Sequence, residues 1–211
     1  MPRAALFDLD GTLVDSAGGI AAALNRLMTA AGRAAFPRPE VERMIGDGAE
    51  VLVRRACAAR DLAYGPALLA DFLNDEALGD EGAPVFDGVL EVLSALRDAG
   101  WRLGVCTNKP ERLAVRLLDG LGLSPLLDGI GGGPFPVRKP DPAHPLGVLA
   151  RMGCPRDGAV LVGDHANDVL AARGAGIEPI FAAWGYGPPD MADGARVAGA
   201  PGDLPGLLGP A

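Results

Sequence analysis

From residue 84 onward, short apolar runs alternate with amphipathic helical patterns, and few folds accept that alternation. "GVLEVLSALRDAG" reads as a helix and "WRLGVCTN" as a strand. "PERLAVRLLDGLG" is a helix opened by proline. "DGIGGG" holds a short strand at best, and "DPAHPLGVLARMG" is a helix after a proline-rich turn. "AVLVGD" is a buried strand, "ANDVLAARGAG" a helix and "EPIFAAW" a last strand. One more apolar run, at 3–8, opens the chain. This order predicts an α/β fold with a doubly wound parallel sheet, Rossmann-like.

The segment 15–83 interrupts that pattern after the first strand and holds helical patterns only. These cover 17–31, capped by Asp15 or Ser16 and stopped by Gly32, then 49–60, then 66–78 starting at Pro66. Pro84 and Gly88 mark the return. The expectation is therefore a core domain from 1–14 and 84–211 with an inserted all-helical cap domain at 15–83. The tail after Gly187 reads as irregular, with one short helix near 204–208.

Composition narrows the function classes. Of 211 residues, 49 % are hydrophobic and 22 % charged, enough for a sizeable core. The net charge is −8 with no lysine/arginine block, which argues against nucleic acid. An anionic substrate would need local positive charge or a metal. Cys57, Cys106 and Cys154 are odd in number and lack zinc spacing, which favours a reducing compartment. The apolar run at the N-terminus stops at Asp8, unlike a signal peptide, and no stretch reaches a membrane span. A cytoplasmic monomer or homodimer with no membrane partner is expected.

Three strands end in polar chemistry: Asp8 and Asp10 in "LFDLDGT", Thr107 and Asn108, and Asp164. Carboxyl ends of parallel strands share one crevice, where ligands bind. Lys139 in "RKPDP" can reach it. Two like charges at ~4 Å repel by about 4 kcal/mol at an effective dielectric near 20. Asp8, Asp10 and Asp164 together therefore call for a hard, oxygen-binding cation such as Mg²⁺. With Lys139 it would let a carboxylate approach a phosphate ester and form an aspartyl-phosphate.

"DLDGT", "TNK", "RKPDP" and "GDHANDV", in that order, resemble the four motifs of the haloacid dehalogenase superfamily of phosphohydrolases. Within it, "PVFDGVLEVLSALRDAGWRLGVCTNKP", "MIGDGAEVLVRRA" and "WGYG" look most like phosphoglycolate phosphatases. The resemblance implies Asp8 as nucleophile and Asp10 as the acid that protonates the leaving alkoxide and later deprotonates water. It implies Mg²⁺ on Asp8, Asp164 and the Asp10 carbonyl. Thr107 and the Asn108 amide would hold the phosphoryl group, Lys139 would neutralise it, and Asp168 would support the metal or Lys139. Gly11 would let the chain turn beneath the phosphate. Two positions depart from the pattern: His165 where relatives often carry serine, and Gly133 where they carry an acid.

Blander readings stand beside these. Asp8 and Asp10 alone fit a polar strand end with an Asp-Gly turn. Cys106 reads as a packed small hydrophobe and His144 and His165 as surface or rim residues. Arg43, Arg54 and Arg55 fit a solvated helix face. Gly46 and Gly48 form either a plain turn or a helix start that offers N–H groups to an anionic substrate end. The reading favoured by the whole pattern is a Mg²⁺-dependent phosphatase for a small phosphate ester, 2-phosphoglycolate above others. A β-phosphoglucomutase-like enzyme or a sugar-phosphate phosphatase on the same scaffold, and from another class a phospho-aspartate signalling protein, are the rivals.

Overall fold

The computed structural model describes residues 3–75, 78, 83–133 and 137–209. Its six-stranded sheet has the order β3-β2-β1-β4-β5-β6, with every pairing parallel. The strands are β1 (Ala4–Phe7), β2 (Arg102–Pro110), β3 (Gly129–Gly133), β4 (Val160–Gly163), β5 (Glu178–Ala182) and β6 (Arg196–Ala198). β1 lies in the middle, with Phe7 opposite Val105 on one side and Val162 on the other.

Side chains of a strand alternate between faces, so a continuous apolar run needs cover on both. Ala5 and Phe7 face one layer with α5 (Val89–Asp98), α6 (Glu111–Gly120) and α9 (Leu204–Leu208). Ala4 and Leu6 face the other, with α7 (Ala143–Arg151) and α8 (Ala166–Ala175). The doubly wound expectation therefore holds.

Between β1 and α5 the chain forms α1 (Ala17–Ala30), α2 (Arg38–Glu42), α3 (Ala49–Ala59) and α4 (Pro66–Leu73). Their apolar faces gather in a cluster of their own, around Leu24, Met28, Val53 and Phe72, joined from α6 by Leu113. The segments leading out and back run side by side: Asp15 N–H donates to Pro84 O at 2.8 Å and Phe86 N–H to Leu13 O at 3.1 Å.

Several expectations need correction. α2 has only five residues and a single buried apolar one, Val41, too short for periodicity to show. α4 stops at Leu73 rather than 78; positions 76 and 77 lie outside the described residues. The strand at 178–184 is not the last. β6 follows inside the tail read as irregular, an edge strand in which only Ala198 is buried. The short helix near 204–208 is present as α9.

Candidate active site

The carboxyl ends of β1, β2 and β4 converge. Asp8 follows β1 directly, and its N–H donates to Val162 O of β4 at 2.9 Å. Its Oδ1 accepts from Leu9 N–H at 2.7 Å and lies 2.9 Å from Lys139 Nζ. Among the described residues both of these hydrogen-bonding and ion-pair contacts fall on Oδ1. Lys139 is buried and also meets Asp168 Oδ1 at 2.6 Å. The second Asp168 oxygen accepts from His165 N–H at 3.0 Å, and His165 Nδ1 in turn accepts from Asn167 N–H at 3.2 Å, which fastens the start of α8. Asp164 is held on both oxygens, by Thr12 Oγ1 and by Tyr186 N–H, each at 2.8 Å.

Asp10 is less enclosed. Its Oδ1 accepts from Ser16 Oγ at 2.6 Å and from Lys109 Nζ at 3.0 Å. Gly11 has φ +86°, and a Cβ there would run into Asp164 and Tyr186. The backbone thus passes close beneath the carboxylates only because this position carries no side chain.

Electrostatics mark the site. Burial pushes the Asp8 carboxyl up to about 7 against the pull of Lys139, and Asp168 and Asp164 push it the same way. Burial, then Asp168, raises Asp164 to about 6. Burial opposes the Lys139 charge, yet Asp168 and Asp8 hold the ammonium well above its ordinary range. Asp8, Asp164 and Asp168 each offer an oxygen within 4.8 Å of the others. Three carboxylates against one ammonium leave two charges unanswered, which suits a hard divalent cation. Asp168 is paired with the Lys139 ammonium, whereas the partners of Asp164, Thr12 Oγ1 and Tyr186 N–H, are neutral, so Asp164 keeps a full charge to offer a cation beside Asp8.

Two openings meet at Asp8 and Asp10. One is a cavity of about 50 Å³ walled by the helical insert and by Thr107, Asn108 and Lys109. The other, about 220 Å³, is bordered by Asp164, His165, Arg43 and Tyr186. Gly46 borders both, while Gly48 borders the first. The turn that carries them is tied down from the sheet side: Asn108 Nδ2 donates to Gly46 O at 2.9 Å, and Asn167 Nδ2 to Asp47 Oδ1 at 2.7 Å. The Asn108 side chain also clasps the Lys139 backbone, through Nδ2 to Lys139 O at 3.0 Å and Oδ1 from Lys139 N–H at 2.9 Å.

The structure thus brings together Asp8, Asp10, Gly11, Gly46, Gly48, Thr107, Asn108, Lys139, Asp164 and Asp168. His144 was read as a surface or rim residue; it is fully buried, with Nε2 3.2 Å from Gly131 O, and burial pushes its imidazole down to about 4. An apolar helix pattern around a histidine does not reveal which turn faces inward. His165 does lie at a rim, against Gly46. Cys106 packs with Leu6 and Leu161, and burial pushes its thiol up to about 12. Arg54 pairs with Glu50 and lies over Tyr64 on an outer helix face, while Arg55 pairs with Asp47 at 2.6 Å. Gly133 has no room for an acid, because a Cβ would press on Asn108 O and Arg138. Sequence reasoning missed Thr12, Ser16, Lys109, Asn167 and Tyr186. Thr12, Lys109, Asn167 and Tyr186 stood inside quoted motifs, but their partners come from distant strands and loops.

Comparison with known proteins finds relatives along most of the chain. The family profile of haloacid dehalogenase-like hydrolases matches residues 2–176. Phosphoglycolate phosphatase of Rhodospirillum rubrum is 44 % identical over 196 residues, covering 88 % of this chain and 81 % of that protein. Phosphoglycolate phosphatase of Caulobacter vibrioides is 41 % identical, covering 85 % and 78 %. The crystal structure of a predicted phosphoglycolate phosphatase from Haemophilus somnus superposes with a TM-score of 0.87 at 27 % identity, covering 98 % and 97 %. CbbY from Rhodobacter sphaeroides in complex with phosphate gives 0.83 at 26 %, covering 97 % and 96 %.

Proposed function

The chain belongs to the haloacid dehalogenase-like hydrolases, and from that premise we propose that it is a Mg²⁺-dependent phosphatase that hydrolyses 2-phosphoglycolate to glycolate and phosphate. The observation that carries this reading is Asp8: a buried carboxylate at a central strand end, bridged by Lys139 to Asp168, with Asp10 two residues on and Asp164 opposite.

Asp8 and Asp164, with the main-chain carbonyl of Asp10, would hold Mg²⁺. When bound, the ion neutralises phosphate charge against the surrounding carboxylates. The protein's own groups then account for each step. Asp8 attacks phosphorus and the ester P–O bond breaks, while Asp10 gives its proton to the departing alkoxide oxygen. Thr107, the Asn108 backbone amide and Lys139 hold the phosphoryl oxygens. Asp10 next takes a proton from water as that water attacks the phosphorus. The bond to Asp8 breaks, phosphate leaves and the carboxylate is restored.

Residues 15–83 act in this reading as a cap that closes over the core of 1–14 and 84–211 and excludes bulk water. Gly46 and Gly48 put bare backbone beside the substrate. A water occupies roughly 10–15 Å³ on a comparable measure, so the cavity of about 50 Å³ suits a leaving group of a few heavy atoms, whereas a sugar ring would need the wider opening of about 220 Å³. A panel of phosphate esters with Mg²⁺ tests the reading. The highest kcat/KM is expected for 2-phosphoglycolate. A sugar phosphate, nucleotide or pyrophosphate that surpasses it would replace the substrate, and phosphoryl transfer to a sugar hydroxyl would favour a mutase.

A further inference from the structure

The small cavity is chemically one-sided. Ile20, Ile45, Leu52, Phe72 and Leu113 make its walls, and Lys109 is the one basic side chain among the described residues that line it. The Lys109 side chain is only 5 % exposed. Its ammonium has three donors, and Asp10 Oδ1 takes one of them at 3.0 Å.

The backbone explains why this lysine points there. β2 and β3 pair Thr107 with Gly132 and then Pro110 with Gly133, so Asn108 and Lys109 fall outside the ladder. An irregularity of this kind re-aims side chains beside a site. Asn108 is turned onto Gly46 O and the Lys139 backbone. Lys109 is turned onto Asp10 and the cavity.

A neutral, apolar leaving group would fit the walls. It would also strip water from the remaining Lys109 donors and give nothing back, which is costly for a buried charge. An anionic end group would answer them. A carboxylate is the anion that a cavity of this size admits, and its acceptor oxygens suit an ammonium.

We propose that Lys109 is the specificity-determining residue of the site, binding the carboxylate of the leaving group while Asp8 takes the phosphoryl group. This rests on the phosphatase reading above and names how that site selects its substrate.

The test compares 2-phosphoglycolate with 2-hydroxyethyl phosphate, an ester of the same two-carbon length whose leaving group carries no charge, in wild type, Lys109→Met and Lys109→Arg. The readout is the ratio of kcat/KM for the two esters, so any loss that both share through Asp10 cancels. Losing a charge-assisted hydrogen bond should lower the ratio about 10- to 100-fold in Lys109→Met, with most of it retained in Lys109→Arg. A ratio within about threefold of wild type in Lys109→Met would overturn the inference and leave Lys109 as a support for Asp10 alone. If thermal unfolding shows Lys109→Met to be misfolded, Lys109→Gln, which keeps a donor toward Asp10, carries the same comparison. A wild-type enzyme with no preference for 2-phosphoglycolate would sink the substrate reading and this inference together. A wild-type preference that survives the loss of Lys109 sinks the inference alone.

Discussion

Single residues carry the chemistry, and their partners give them different tasks. Asp8 is buried against Lys139, whereas Asp10 sits at the mouth of the small cavity between Ser16 and Lys109. In the phosphatase reading Asp10 is the acid that protonates the leaving group. Asp10→Asn should therefore depend on the substrate. Proton donation is worth about 10²–10⁴-fold, and a poor leaving group such as glycolate needs it more than p-nitrophenolate does. In single turnovers the loss should be larger for 2-phosphoglycolate than for p-nitrophenyl phosphate; equal losses would remove Asp10 from the acid role. Asp8, Asp10 and Asp164 were legible in the sequence because each stands within a run whose neighbours announce a strand end. Thr12 and Tyr186, which hold Asp164, were not. A hydroxyl or an N–H can meet a carboxylate from anywhere in the chain, so no local pattern points to it.

Among the elements, the turn between α2 and α3 is held in an unusual way. Gly46 has φ +120° and Gly48 φ +89°, and core side chains Asn108 and Asn167 bond the segment between the helices. A Cβ at Gly46 would run into the His165 ring. Gly46→Ala should lower stability by upwards of about 1 kcal/mol, because alanine resists positive φ. It should also lower kcat/KM at least about tenfold by shifting the cavity wall, since misplacements of an ångström are costly in catalysis. Wild-type kinetics in a variant with a lowered Tm would show that the turn is structural only. Helices with a full apolar face, α1, α3, α5 and α6, were readable from their spacing. β6, with Arg196 and Val197 exposed, carries no alternation to read. Its place is decided by pairing with β5, Ile180 opposite Arg196 and Phe181 opposite Val197.

Across the whole molecule, folding gathers more negative charge at one point than Lys139 can answer. Asp8 and Asp164 have folded values near 7 and 6 against 3.8 for an ordinary aspartate. The folded, metal-free protein then binds more protons than the unfolded chain between roughly pH 4 and 7, so its stability falls as pH rises through that window. A divalent ion that takes the place of those protons reverses the trend. The rise in Tm on adding Mg²⁺ should be small near pH 5 and larger near pH 8, and EDTA should abolish turnover. An equal rise at both pH values would detach the ion from these carboxylates. The alternation of β1 to β5 with their helices, the helical insertion after β1 and the carboxylates at the strand ends were determined by the sequence alone, because they depend on local periodicity and on residue types at fixed short spacing. The shape of the cavity, the burial of His144, the aim of Lys109 and the clasp of Asn108 on Gly46 and Lys139 were decided only in the tertiary structure. Each depends on which segments the fold brings within hydrogen-bond reach, and contacts between residues from 13 to 99 positions apart leave no trace in the spacing of either.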